Sequence, residues 1–316
     1  MRFSTSGSFP RFDYSLLVEA LPALREEWAA LTFGSDGAVI NPLRREPRDE
    51  LRLVEGRHRA PGARYEVLMR TPVTQADPDQ EQALQRELLG GPDIDWDEYG
   101  RRLAEITRPT GEITESITRF TLRQDDSRSL AVTVADPTEH WSVDVEMVHA
   151  RMPRIVVAGR ADATAMLMAQ DAPRWLARRV GGEATGTATV DLAMFEQRAG
   201  GTVGEAAGRV KLLRGSGSAT VTPTPTTWDV AASAELTGKG LGRLALRLFR
   251  KRLQRSFDTA AAAYWANVPT SAETWEKERH RVEEVVAAEG GLATVIHRAL
   301  WDPAYLEAIT VKYDLE

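Results

Sequence analysis

The period of the apolar positions changes along the chain, and those changes predict its elements. Residues 13 to 31 repeat at helical spacing: Asp13 can cap, Leu16, Leu17, Val18, Leu21, Leu24, Trp28 and Leu31 form a stripe, and Pro22 is expected to break or kink it. In GARYEVLMRTPV the period falls to two, with Tyr65, Val67 and Met69 on one face of a strand and Arg64, Glu66 and Arg70 on the other. ADPDQEQALQRELLGG is helical again, with Asp77 as cap, Pro78 at the first helical position and Gly90 or Gly91 at the end. A short helix from Trp96 to Ile106 then leads to Pro109 and Gly111, where a first domain boundary is expected.

Beyond that point alternation dominates. SLAVTVADP alternates through Leu130, Val132 and Val134, and HWSVDVEMVH sets Trp141, Val143, Val145 and Met147 against Ser142, Asp144 and Glu146. RIVVAG follows, then a helix pair opened by Asp162 or Thr164 and by Asp171 with Pro173. Four more strands are expected at residues 186–197, 203–213, 217–222 and 227–237, with RGSGSAT as a hairpin turn. The tail reads as an amphipathic helix in TSAETWEKERHRVEEVV, another in GGLATVIHRAL, and a short helix running into a strand in DPAYLEAITVKYDLE. The predicted class is α+β: a curved antiparallel sheet packed on a long late helix. A mixed N-terminal region (1–108) precedes the sheet domain (109–268), and a helical extension (269–316) follows it.

The end of the sheet domain is the best specified part. Trp228, Val230, Ala232, Ala234 and Leu236 alternate with mostly polar neighbours, so residues 227–237 span roughly 36 Å as a strand, and a helix over 241–265 spans about 37 Å. Equal reach suggests that the helix folds back across the sheet. Leu241, Leu244, Ala245 and Leu248 begin a covering stripe that Leu253, Phe257, Ala260 and Tyr264 continue at a shifted angle, so a kink or two different packing partners are expected. Arg252 and Arg255 fall near the covered face, and are expected to be buried, paired or facing a cavity.

A late run of strands, a final strand ending in LTGKG and a long helix carrying RKRLQRSFDTAAAAYW, together residues 184–268, resemble the helix-grip fold of the START-like (SRPBCC) superfamily. That superfamily includes polyketide cyclase-like and lipid-transfer proteins. The resemblance implies a curved sheet wrapped on a C-terminal helix around an apolar cavity. It implies a binding or carrier protein for a hydrophobic small molecule or lipid, with Trp228, Arg252 and Tyr264 near the ligand. Upstream strands such as 130–148 would complete the sheet. The superfamily varies in chemistry, so no catalytic residue is carried across.

Composition narrows the alternatives. A net charge of -6, with 42% hydrophobic and 27% charged residues, speaks against wholesale nucleic-acid binding. With no cysteine there is no disulfide, thiolate nucleophile or cysteine-held zinc, and the chain shows neither a signal-peptide pattern nor a membrane-spanning run. A cytoplasmic protein is expected. Arginine far outnumbers lysine, which reads as GC-rich bacterial coding. Asp93, Asp95 and Asp97 have calcium-loop spacing, but Glu98 and Ala104 stand where glycine and glutamate are required, so neither metal nor cofactor is expected. His149 beside Asp144 or Glu146 offers an acid–base pair, although a surface strand histidine is the plainer reading. Lys239, Arg243, Arg247, Arg250, Lys251, Arg252 and Arg255 occupy a window without acids. That window suits phosphate, an anionic lipid head group or RNA. The plainer reading is a solvated face answered by Glu273, Glu276, Glu278, Glu283 and Glu284 on a following helix. The favoured function is the carrier. A non-enzymatic assembly protein, self-associating or bound to a partner subunit, is the second reading, and a cyclase-like enzyme the third.

Overall fold

The structure, a computed structural model, describes the chain except residues 12, 77, 89–95, 137, 139, 150, 170–180, 197–199 and 314–316. It is α+β. Its first half contains β1 (Arg2–Pro10), α1 (Ser15–Ala30), β2 (Ala38–Ile40), β3 (Pro47–Glu55), β4 (Arg64–Ala76), α2 (Pro78–Leu88), α3 (Trp96–Ile106), β5 (Thr107–Asp125), β6 (Ser129–Ala135) and β7 (Trp141–Val148). The second contains β8 (Arg154–Asp162), α4 (Ala163–Ala169), β9 (Glu183–Asp191), β10 (Gly201–Val210), β11 (Leu213–Pro223), β12 (Thr227–Gly238), α5 (Leu241–Leu248), α6 (Arg250–Ala288), α7 (Leu292–Trp301) and α8 (Pro303–Tyr313). The expected second helix at Asp171 and Pro173 and the loop at Asp93 and Asp95 lie outside the described residues.

The strands form a 12-stranded antiparallel sheet in the order β1-β12-β11-β10-β9-β8-β7-β6-β5-β4-β3-β2. Neighbours in sequence are neighbours in the sheet, except that β1 joins β12, with Phe3 opposite Ala234 and Phe9 opposite Trp228. The chain forms two compact units: Met1–Glu66 with Arg119–Glu316, and Val67–Thr118. In the smaller unit α2 and α3 are linked by Arg102 to Glu87 at 2.6 Å, and β4 and β5 by Arg70 to Glu115 at 2.9 Å.

In the larger unit the register explains the sheet's two-faced character. One row passes from Phe3 through Ala234, Gly217, Ala206, Ala188, Val157, Val145 and Val132 to Leu122, apolar on every strand. The adjacent row, on the other face, starts Ser4, Ser233, Ser218, Glu205 and Thr189. Period-two alternation in each strand thus becomes one apolar and one hydroxyl-rich face. The apolar row ends in large buried residues, Phe3 under α6 and Leu122 in a cluster with Ala63 and Tyr65, onto which Trp28 of α1 packs.

Several local expectations change. Pro109 and Gly111 lie inside β5, and residues 214–220 lie within β11, so the hairpin turn sits at Lys211 and Leu212 instead of RGSGSAT. Gly215 and Gly217 are strand residues facing Leu236 and Ala234. Pro22 and Pro269 both sit inside helices, so α1 is unbroken and α6 runs through residue 269. The kink falls at Phe249, between α5 on β12 and α6 on β1. Leu244 and Leu248 face outward; among the described positions of α5, Gly242 is buried and Leu246 half-buried. A side chain at 242 would collide with the Leu212 carbonyl, so glycine lets that side of the helix sit closest to the sheet.

The C-terminal helices fold back on the same chain. Glu27 of α1 binds His297 at 2.8 Å and accepts from the Trp301 indole at 3.0 Å, while buried Asn41 donates to the Trp301 carbonyl at 2.8 Å. Val285, Tyr305 and Ile309 form their own small core.

Candidate functional site

The best-built concavity on the apolar face lies between α1 and β5–β7, a groove of about 760 Å³. Val18, Leu21 and Leu24 supply the helical wall. Leu130 and Met147, directly opposite each other on β6 and β7, supply the sheet wall. The helical spacing of the first three and the alternation of the last two are what put them on facing surfaces.

An aromatic and polar assembly anchors α1 above the sheet. Trp28 meets His58 at 4.9 Å edge-on and Tyr65 at 5.3 Å, and Tyr65 stacks on Phe120 at 4.6 Å. The hydrogen bonds fix the protons. His58 Nε2 lies 2.9 Å from the Trp28 carbonyl, which can only accept, so Nε2 carries the hydrogen. His58 Nδ1 therefore accepts from the Tyr65 hydroxyl at 2.9 Å, and that hydroxyl accepts in turn from the Arg59 backbone N–H at 3.1 Å. Burial pushes the His58 pKa below its ordinary value, against the opposing effect of the Trp28 carbonyl.

Asp125 ties the same assembly to the groove. Its side chain is only 2% exposed and accepts from Arg59 Nε at 2.6 Å and from the Trp28 indole at 3.1 Å. Burial raises its pKa, but the hydrogen bonds from Arg59 and Trp28 and the Arg59 charge outweigh that, so the carboxyl is held below its ordinary value. Arg59 adopts a φ of 63°, a left-handed conformation costing roughly 1–2 kcal/mol for a side-chain-bearing residue, and these bonds hold it there.

His149 lines the groove just beyond β7, and its Nε2 is buried with no hydrogen-bond partner among the described residues. Burial lowers its pKa, Arg25 lowers it further, and Asp125 and Asp126 oppose both. The acids acting on His149 are thus Asp125 and Asp126, whereas Asp144 lies 3.8 Å from Arg123. Arg25, Glu26 and Arg151 also line the groove, so apolar walls with one unmet imidazole nitrogen and a few charged groups suit a largely apolar molecule with a polar group.

No protein-family model matches the chain, and no curated protein or solved structure is significantly similar to it.

The hydroxyl-rich face holds a larger basin of about 960 Å³. Its arginines are committed: Arg64 to Glu55 at 2.7 Å, Arg119 to Glu66 at 2.8 Å and Arg160 to the Ser142 hydroxyl at 2.7 Å. None of the buried side-chain atoms without a hydrogen-bond partner among the described residues lies in that basin.

The three residues expected near a ligand are dispersed. Trp228 is buried in β12, edge-on to Phe195 at 5.5 Å and under the Arg11 guanidinium at 4.8 Å. Tyr264 is 64% exposed beside Trp265, and Arg252 is exposed in the first turn of α6. None of the three lines the groove or the basin. The groove instead draws on Leu21, Trp28, Leu130 and His149, from two regions that periodicity alone kept apart. Its one sequence signal was His149, which shares the groove with α1.

Proposed function

We propose that this protein binds or carries an apolar small molecule or lipid in the groove between α1 and the sheet. The observation that carries this reading is the unpartnered Nε2 of His149 in a groove of ligand size whose walls are the apolar Val18, Leu21, Leu24, Leu130 and Met147, with Arg25, Glu26 and Arg151 also among its lining residues. The chain order supports it as well. A run of antiparallel strands followed directly by a long helix is in keeping with what the START-like resemblance leads one to expect. The groove lies beside α1 rather than under the long helix, so the ligand would contact Leu130, Met147 and His149 in place of Trp228, Arg252 and Tyr264. A cyclase-like enzyme is the second reading, favoured by the same neutral imidazole, which could move a proton at Nε2.

Native mass spectrometry of protein purified from its own host tests the proposal. An apolar molecule bound at one per chain is expected, and Met147→Trp, which fills the trough, should abolish its retention while the protein stays folded. A ligand kept by the filled variant, or no ligand on the unaltered chain, overturns the groove as its container.

A further inference from the structure

The window from Lys239 to Arg255 acquires a different meaning once the helices are in place. Among the described positions of α5, Gly242 and Leu246 are turned to the sheet, and the outward side carries Leu244 (51% exposed) and Leu248 (70%). Phe249, at the kink into α6, is 52% exposed. Around these apolar groups stand exposed Arg243, Arg247, Arg250, Lys251 and Arg252. Among the described residues no ion pair involves any of the five. The acids expected to answer them are not on a separate packed helix. Glu273 and the others lie further along the same continuous α6, about 30 Å or more beyond Arg252 at 1.5 Å per residue.

A solvated basic face would keep its leucines inward and its cations outward. Here large apolar side chains and unneutralised cations share the outward side. That pairing fits a surface that is anionic outside and oily just beneath, so that leucine and phenylalanine enter the acyl boundary while guanidinium groups stay among phosphates. Nucleic acid would engage the arginines but give Leu248 and Phe249 nothing comparable. No helix among the described residues is long and apolar enough to cross a membrane, so the contact would be peripheral.

We infer that α5 and the first turn of α6 form a docking surface for an anionic lipid bilayer. This surface uses none of the groove residues, so it stands or falls separately from the ligand reading. The test is co-sedimentation of the full chain with phosphatidylcholine vesicles containing 30% phosphatidylglycerol, and with pure phosphatidylcholine, at about 50 mM and 500 mM salt. Binding is expected only to the anionic vesicles at low salt, weakening at least tenfold at high salt. Two variants divide the interaction: Arg243→Glu with Arg247→Glu, and Leu248→Ser with Phe249→Ser. Each pair should weaken vesicle binding tenfold or more, while Met147→Trp, in the groove, should leave it unchanged. No binding to anionic vesicles at low salt overturns the inference. So does vesicle binding that the Leu248→Ser, Phe249→Ser variant leaves intact, because that marks a polyanion site of the kind RNA or an acidic protein would use.

Discussion

The indole of Trp265 lies against Gly7, where any side chain on residue 7 would collide with it, and its N–H reaches Thr5 at 2.8 Å. Together with Phe257 on Phe3 at 4.9 Å, this contact holds the long helix on the edge strand. Gly7→Val should therefore act as an overpacking substitution and cost about 1–3 kcal/mol in urea denaturation. Trp265→Leu in the same chain should recover part of that loss, because it removes the colliding ring.

Asp125 is the most buried charge partner of the groove assembly. Asp125→Ala should destabilise the fold by about 2 kcal/mol, less than the 3–5 typical of a fully buried pair, because the Arg59 side chain is 36% exposed and can rehydrate. Asp125→Asn should lose less, since its amide oxygen can still accept from Trp28. Denaturant midpoints of the two variants check the order.

The histidines set a pH window. In the folded protein both His58 and His149 have lowered pKa values, so the unfolded chain takes up protons first as pH falls. The stability they contribute is complete above about pH 6.5, the unfolded value, and is lost as pH drops through the folded values. The denaturation midpoint should accordingly fall between pH 7.5 and 5. His58→Gln can donate to the Trp28 carbonyl and accept from Tyr65 without titrating, and should shrink that fall. A drop of equal size in a His58→Gln, His149→Gln double variant would show that other groups are responsible.

Arg250, Lys251 and Arg252 open α6 with no acid in its first turn and no side-chain cap on Phe249. Cations at a helix N-terminus oppose its dipole. Arg250→Glu and Lys251→Glu should each raise stability by about 0.3–1 kcal/mol at low salt, read by thermal denaturation, while weakening the vesicle binding inferred above. Gains in stability with a loss of binding would mark these cations as kept for contact rather than for folding.

Strands whose two faces differ strongly were legible in the sequence. β6, β7 and β12 appear where Val132, Val145 and Val230 alternate with mostly polar neighbours, because a buried face imposes period two, and β8 appears at the apolar run of RIVVAG. β1 was not: Phe3, Thr5, Gly7 and Phe9 form a weak apolar row, and its meaning depends on a partner at the other end of the chain. α5 misled for a related reason. Leu244 and Leu248 have the spacing of a core stripe, and only the approach of Gly242 to Leu212 reverses the helix. His149 was visible as a residue but not as a groove residue, since α1 and β7 meet only in the folded chain. A separate helix was expected in TSAETWEKERHRVEEVV, yet α6 continues through Pro269 into it, so the acidic segment could not return to neutralise the basic one.

The pairing of the first strand with the last has a temporal cost. Met1 and Leu236, joined at 2.7 Å, are 235 residues apart, which at about 5–20 residues per second is on the order of ten to fifty seconds of translation. Throughout that interval the nascent β1 has no mate and α6, which covers Phe3, has not left the ribosome. A polypeptide released early, before β12 is made, would carry an open edge and an uncovered aromatic, the marks by which chaperones and proteases recognise unfinished protein.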